Sequence, residues 1–272
     1  MAGERLALVA ETGAVLEVGR EGFVIGPVYE RGRTSALQAI DPETARAIVA
    51  SQGARLIGAH WGGYVALLAA RERNSVEIIR APLGDLACYI FQSPFGLLVA
   101  SDVDLLMRFG DYTPQIEWLA LAQHLAVPDL RRRATCLTGI DEVSGGERLT
   151  DTGGRVTIDA AWDIWSFAHA RNRLDDARDT ASRVRDAVQL AVAARASAHD
   201  KVVLRLSGGL DSSIVAACLA RAQRPFVALT LSTRDRSGDE RRHARAVASH
   251  LGVELIEAAR DTRLVDLATS EA

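Results

Sequence analysis

The chain has 272 residues, of which 48% are hydrophobic and 25% are charged, and its formal net charge is −3. This composition is typical of a globular protein of about two domains. The slightly acidic balance argues against a general binder of nucleic acid or of membrane surfaces, and no apolar stretch is long enough to span a bilayer.

The amino terminus and the cysteines indicate a cytoplasmic location. The first residues, MAGER, lack the basic-then-apolar form of a secretory signal. Cys88, Cys136 and Cys218 lie far apart in the sequence and form no C-x-x-C pair. They fit reduced, mostly buried thiols, which are typical of cytoplasmic proteins.

The first half of the chain is predicted to be rich in strands. Short apolar runs separated by turn residues predict strands over residues 6–10, 14–18, 23–29, 63–70, 76–80, 87–92 and 97–100. Asp41-Pro42-Glu43 predicts the start of a helix, because Asp caps helices and Pro favours the first helical position. Helices are also predicted over residues 102–109 and 115–126. Residues 130–165 are irregular and contain five glycines, which predicts a connecting region.

The second half of the chain changes to an alternation of helices and strands. Apolar residues at helical spacing predict a helix over residues 176–198. A strand (201–206), a helix (211–222), a strand (225–231), a helix (238–250) and a strand (253–258) are predicted to follow. This order predicts right-handed crossovers and a parallel sheet.

A glycine-rich loop joins the first of these strands, which ends at Leu206, to the following helix. Its sequence is Ser207-Gly208-Gly209-Leu210-Asp211-Ser212-Ser213. Glycines permit positive φ and the close approach of a ligand, and a helix start presents free N–H groups. Serine hydroxyls add donors, and the carboxylate of Asp211 can hold the Mg²⁺ that accompanies ATP. The alternative interpretation is an ordinary turn with a helix cap.

The loop lacks the Lys of a Walker A motif and the G-x-G-x-x-G pattern of a dinucleotide fingerprint. It has the form S-G-G-x-D-S and so resembles the PP-loop of the ATP pyrophosphatases. That family cleaves ATP between the α- and β-phosphates and transfers AMP to an acceptor.

Motifs in the first half extend the resemblance to the asparagine synthetase B family. Trp61-Gly62-Gly63-Tyr64-Val65-Ala66 resembles the family's G-D-F-A-type strand, and Arg80-Ala81-Pro82-Leu83-Gly84 resembles its R-D-P-x-G turn. Leu98-Val99-Ala100-Ser101-Asp102 is similar to its strand ending in A-S. The segment from Gly139 to Gly146 is similar to its linker.

The resemblance implies an α/β protein with two domains. Residues 1–129 would form a degenerate glutaminase-like (Ntn-type) α+β sandwich, and residues 130–172 would connect it to the next domain. Residues 173–272 would form the first part of a parallel-sheet PP-loop ATP-pyrophosphatase domain. The family's later acidic segment has no counterpart in this sequence, so we expect an N-terminal portion of a longer enzyme that is inactive by itself.

The sequence departs from the family at the glutaminase nucleophile. The family uses an N-terminal cysteine that is exposed when Met1 is removed. Position 2 is Ala2 in this sequence, and no cysteine occurs before Cys88. We therefore expect no glutamine hydrolysis by that route.

The resemblance implies a two-step, ATP-dependent ligation with Mg²⁺. A substrate carboxylate is adenylated with release of pyrophosphate, and an amine then displaces AMP. Residues 207–213 would bind the phosphates, with Leu206 at the end of the strand and Asp211 as metal ligand and catalytic residue. Thr230 and Leu231 would form the floor under the adenine.

The missing cysteine favours relatives that close an amide within one substrate, namely β-lactam synthetase and the lasso-peptide macrolactam synthetases. The W-G-x-Y-V-A form of the strand that begins at Trp61 resembles the lasso-peptide branch more. The resemblance therefore implies macrolactam formation between the terminal amine of a lasso-type peptide and an Asp or Glu side chain. A peptide or a small carboxylate is the expected substrate, with a peptidase or leader-binding protein of the same biosynthetic cluster as partner. Two alternatives stay open: an asparagine synthetase that uses aspartate and ammonia, and a non-catalytic nucleotide-binding or scaffold fragment.

Overall fold

A computed structural model of the chain describes residues 15–70, 74–83, 86–94, 96–129, 132–232 and 238–260. These residues form two compact units. The first unit extends to Arg173 but omits Gly32–Ala36, and the second contains Gly32–Ala36 and the residues from Leu174 onward. Within the described ranges, no helix has the length and apolar character needed to cross a membrane. The strand predicted at residues 6–10 lies outside these ranges.

The first unit consists mainly of strands. Its strands are β1 (Val15–Val18), β2 (Gly22–Ile25), β3 (Val28–Glu30), β4 (His60–Gly62), β5 (Val65–Ala70), β6 (Ser75–Arg80), β7 (Tyr89–Ser93), β8 (Gly96–Ala100), β9 (Ile140–Glu142), β10 (Glu147–Thr152) and β11 (Arg155–Ala160). Its α-helices are α1 (Pro42–Ala50), α2 (Ala54–Ala59), α3 (Val103–Phe109) and α4 (Trp118–Ala126). Short 3₁₀ segments follow at Ile164–Phe167 and Ala170–Asn172.

Six strands form an antiparallel sheet in the order β1-β2-β5-β6-β10-β11. Side chains of β5 alternate between its two faces, as strand geometry requires. Ala66 and Leu68 pack with Ile48 of α1 on one face. Val65 and Leu67 pack on the other face in the same cluster as residues of β7, which belongs to a second sheet, β8-β7-β9. The sheet is therefore covered on both faces, and the predicted glutaminase-type sandwich stays a prediction.

The helix starts in the first unit follow the sequence closely. Asp41 lies just before α1, and its carboxylate accepts hydrogen bonds from the amides of Glu43 (3.0 Å) and Thr44 (2.9 Å). Asp102 accepts one from the amide of Asp104 (2.8 Å) in the same way. The predicted capping of α1 is confirmed.

Two sequence predictions in the first unit are wrong. The strand predicted over residues 23–29 is split into β2 and β3 at Gly26, whose φ is +99°. Residues 140–160 are not irregular, because they form three strands. β9 pairs with β7, and β10 pairs with β6, so these residues complete both sheets where a connecting region was predicted.

The second unit alternates helices and strands as predicted. Its elements are α5 (Ala177–Ser197), β12 (Val202–Arg205), α6 (Leu210–Arg221), β13 (Phe226–Ser232), α7 (Arg241–Leu251) and β14 (Leu255–Ala259). The three strands are parallel, in the order β12-β13-β14. Leu206, Ala216, Ala228 and Ala244 are buried in one core between this sheet and helices α6 and α7.

The opposite face of the parallel sheet is largely open within the described residues. Val203 of β12 and Ile256 of β14 alternate with the core positions, and they are 67% and 46% exposed. The sheet thus presents an apolar surface on the side away from α6 and α7.

Candidate nucleotide-binding site

The loop predicted to bind phosphate, residues 207–213, is called the phosphate loop below. It lies at the carboxyl edge of the parallel sheet. Leu206 is buried, and its amide donates to the carbonyl of Leu229 in β13 at 2.8 Å. Gly209 is the N-cap of α6, whose first residue is Leu210. Ligands of open α/β sheets bind at this edge, outside the carboxyl ends of the strands.

The two glycines, either of which could adopt positive φ, have different conformations. Gly208 has φ +83°, whereas Gly209 has φ −69°. A Cβ atom at Gly208 would lie 2.4 Å from the carbonyl carbon of His243 and 2.6 Å from the amide nitrogen of Ala244, both in the first turn of α7. A Cβ atom at Gly209 would meet only the Oγ of Ser207, at 3.3 Å. Gly208 therefore allows the loop to pack directly on the backbone of α7.

The serine hydroxyls bond within the loop. The Oγ atoms of Ser207 and Ser212 lie 3.1 Å apart, and the amide of Gly209 donates to Ser207 Oγ at 3.2 Å. Ser213 donates its hydroxyl proton to the carbonyl of Gly209 at 2.7 Å. A bound anion would compete with these contacts for Ser207 and Ser212.

Four backbone amides of the loop are available to an anion. Among the residues that the structure describes, these amides have no hydrogen-bond acceptor: Gly208, Leu210, Asp211 and Ser212. The last three belong to the first turn of a helix, where amides lack an intrahelical partner and the dipole is positive. This arrangement fits the oxygens of a polyphosphate.

The metal ligand predicted from the sequence lies beside these amides. Asp211 is exposed in the first turn of α6. In the described part of the chain, no group of three or more His, Cys, Asp or Glu side chains could hold a metal ion. A single carboxylate nevertheless fits Mg²⁺ bound to a nucleotide, because phosphate oxygens and water complete its coordination.

The predicted adenine floor is divided between two faces of β13. Thr230 is buried and points to the same side as Ala228, toward α6 and α7, whereas Leu231 is half-buried and points to the other side. Their side chains therefore cannot both contact one ring from the same side of the sheet.

Helix α7 packs against the loop at Gly208, and charged pairs lie at its start and between it and β14. Asp239 forms a two-pronged ion pair with Arg241 (2.8 and 2.7 Å), which lowers the pKa of the Asp239 carboxyl to about 2. Arg245 forms a second such pair with Glu257 of β14 (2.5 and 2.6 Å) and lowers the pKa of that carboxyl. The contact between α7 and Gly208 was not predicted, because the only sequence feature that favours it is the small residue Ala244, and no local motif links Ala244 to Gly208.

A cavity of about 660 Å³ lies between α5 and α6. Its lining includes Val184 and Val188 of α5 and Ile214 and Cys218 of α6, and none of residues 206–213. This apolar groove is therefore distinct from the phosphate loop.

The described residues of the first unit include two free cysteines, Cys88 and the half-buried Cys136. Cys88 is buried, and burial raises the pKa of its thiol to about 12. A nucleophilic cysteine needs a lowered pKa and access to solvent. Ala2, which replaces the expected cysteine, lies outside the described residues.

Comparison with known proteins finds a family match over the part of the chain that contains the loop. Residues 183–265 match the family described as asparagine synthase. The chain is 34% identical over 148 residues to the carboxyethyl-arginine beta-lactam-synthase of Streptomyces clavuligerus. That similarity covers 52% of this chain and 28% of the relative, so the chain spans about a quarter of the relative's length. The second unit therefore carries an asparagine synthase-like segment, with the phosphate loop inside it.

Two solved structures are similar over most of the chain at low identity. One is the allosteric regulatory enzyme of purine biosynthesis, with TM-score 0.34 and 12% identity, covering 91% of this chain and 62% of that one. The other is glutamine phosphoribosylpyrophosphate amidotransferase from B. subtilis, with TM-score 0.33 and 13% identity, covering 88% and 61%. Similarity at this level does not define a shared fold.

Proposed function

We propose that this chain belongs to an ATP-dependent synthetase that activates a substrate carboxylate and joins it to an amine. The observation that carries the proposal is the phosphate loop: its amides without an acceptor among the described residues lie at and next to Asp211, within the asparagine synthase-like segment. The amides fit an anion and the carboxylate fits its metal ion, as ATP with Mg²⁺ requires.

In the first step, an oxygen of the substrate carboxylate attacks the α-phosphorus of ATP. The bond to the β-phosphate breaks, and pyrophosphate leaves. The amides of Leu210 and Ser212 would bind the departing phosphate oxygens, and the hydroxyl of Ser207 would exchange its contact with Ser212 for one to phosphate. Asp211 would hold Mg²⁺, which supplies positive charge against the charge on the phosphates.

In the second step, an amine nitrogen attacks the acyl carbon. The bond to AMP breaks, AMP leaves, and the nitrogen loses a proton. The protein mainly positions the two reactants in this step.

We propose that the amine belongs to the same substrate molecule as the carboxylate. Free ammonia made by the route expected from the family would require a cysteine at position 2, but position 2 is Ala2, and the next cysteine in the sequence, Cys88, is buried with a raised pKa. The relative named carboxyethyl-arginine beta-lactam-synthase supports a small carboxylate that closes into a ring.

A lasso-type peptide, closed between its terminal amine and an Asp or Glu side chain, is the second candidate substrate. The form of the strand that begins at Trp61 favours it. Such a substrate would bring a peptidase or a leader-binding protein as partner in the cytoplasm. Asparagine formation from aspartate and ammonia is the remaining enzymatic alternative, and its product distinguishes it from ring closure.

The test of the phosphate site is calorimetric titration of the chain with ATP and Mg²⁺. We expect binding by the unaltered chain, and Asp211→Asn should weaken it by about tenfold or more, because the metal loses a carboxylate. Asp179→Asn is the matched control, since it removes the same charge from an exposed ion pair in α5. Failure of the unaltered chain to bind ATP, or equal binding by Asp211→Asn, would overturn the assignment.

The test of the chemistry is exchange of labelled pyrophosphate into ATP by the complete gene product, followed by analysis of the organic product. Candidate substrates are carboxylates that carry an amine within reach of ring closure. We expect exchange and a product that is one water lighter than the substrate. Asparagine and AMP from aspartate with ammonium would instead identify an asparagine synthetase.

A further inference from the structure

At Gly208 the phosphate loop packs directly against the backbone of helix α7. The space for a side chain at Gly208 is filled by the backbone of His243 and Ala244. The conformation of the loop therefore depends on where the first turn of α7 lies. A small rotation or translation of α7 would move the surface on which Gly208 packs.

The buried face of α7 gives little resistance to such a movement. Its buried residues are Ala244 and Ala248, and Val247 and Leu251 are partly buried beside them. An alanine methyl group buries much less apolar area than a larger side chain, so these two residues contribute less to holding the helix in place than larger residues would.

The pair between Arg245 and Glu257 links α7 to the sheet, and a second, local pair lies at the start of the helix. Arg245 binds both carboxylate oxygens of Glu257, whose register partner in β13 is Thr230 near the carboxyl edge of the sheet. Arg241, one turn earlier, binds both oxygens of Asp239, which precedes the helix. A two-pronged pair between a guanidinium and a carboxylate fixes direction as well as distance.

We propose that Arg245 and Glu257 are positioning residues for the nucleotide site: their ion pair fixes α7 against β14, and α7 in turn holds Gly208 and the free amides of the loop in the arrangement that binds phosphate. This inference rests on the proposed function. Neither residue touches the nucleotide in this scheme, because both act through the backbone of α7.

The proposal makes a prediction opposite to that of simple electrostatics. Glu257 is an acidic residue in the unit that binds an anion, so its removal would strengthen ATP binding if charge alone mattered. Removal would also free the cation Arg245, which again favours an anion. Weaker ATP binding by Glu257→Gln is therefore expected only if the pair positions the loop.

The experiment is calorimetric titration of the 272-residue chain and its variants with ATP and Mg²⁺ at low and high salt. We expect Glu257→Gln to weaken binding by about threefold to fivefold, which matches the strength of a partly exposed ion pair. The difference from the unaltered chain should shrink at high salt, because salt screens the pair. The exchanged pair Arg245→Glu with Glu257→Arg should restore most of the affinity.

Two comparisons separate positioning from a general loss of stability. Asp179→Asn removes the same charge from the Arg183–Asp179 pair and should not weaken binding. Circular dichroism and urea unfolding check that Glu257→Gln is folded. If it is not, Arg245→Lys keeps the charge but loses the two-pronged contact, and it should also weaken binding.

The outcomes distinguish this inference from the proposed function. If the unaltered chain binds no ATP, the proposed function fails and the inference falls with it. If the unaltered chain binds ATP and Glu257→Gln binds it equally well or more tightly, the proposed function stands and the positioning role is rejected. Equal losses in Glu257→Gln and Asp179→Asn would also reject it.

Discussion

Gly208 and Gly209 are adjacent in the sequence but have different structural roles. Gly208 lies in the left-handed region and packs on the backbone of α7, whereas Gly209 has an ordinary φ and serves as the cap of α6. The motif predicted that the loop would exist and where it would lie. It did not predict this division, because only the tertiary packing of α7 makes Gly208 indispensable.

Alanine at the two positions should therefore have unequal effects. We expect Gly208→Ala to lower the free energy of unfolding by about 1–2 kcal/mol or more, because left-handed φ strains an L-residue and the methyl group clashes with α7. Gly209→Ala should cost clearly less, since its new Cβ meets only the Oγ of Ser207. Urea unfolding followed by circular dichroism measures both, and equal losses would contradict the assignment.

At the scale of elements, the sequence predicted best where caps and periodicity agreed. The Asp41-Pro42 start of α1 and the alternating elements of the second unit are confirmed. The strands β10 and β11 were missed because their outward residues are polar and their apolar alternation is weak. A signal was present, since Gly153-Gly154 separates two alternating runs, which is a hairpin pattern.

Substitutions in the turn between β10 and β11 test whether the hairpin depends on the left-handed backbone at Gly153. Gly153 has φ +60° and has space around it, so only the backbone conformation restricts the residue type. Asn tolerates left-handed φ and Val does not. We expect Gly153→Asn to keep the thermal unfolding temperature within a few degrees. Gly153→Val should lower the free energy of unfolding by about 1–2 kcal/mol, and equal effects of both variants would argue against a conformational cause.

At the scale of the whole molecule, residues from two distant parts of the sequence complete the first unit. Ile140, Val143 and Leu149 are buried, and they belong to the clusters formed by strands β5 to β8. The sequence pattern predicted a connecting region at these residues, because pairing between strands that are distant in the sequence produces no local sequence signal. The candidate site was easier to predict, since it depends on seven consecutive residues.

Shortened chains should reveal this dependence. We expect residues 1–173 to unfold cooperatively in urea, whereas residues 1–129 should show no cooperative transition. The shorter chain removes one of the two partner strands of β6 and one of the two of β7, and it also removes the buried Leu149. A matched control is the same assay on the 272-residue chain, and a cooperative transition in residues 1–129 would contradict the expected role of β9 to β11.

The late pairing of β6 has a consequence during synthesis. β6 ends at Arg80, and its partner β10 begins only at Glu147. At ordinary rates of translation, the ribosome needs roughly 3–13 s to cover that interval. Throughout this time the β6 edge of the sheet in the nascent chain is unpaired and largely apolar. Chaperones bind such exposed apolar edges, and at high expression these edges favour misassembly. Slower translation at low temperature should therefore raise the yield less than added chaperone does.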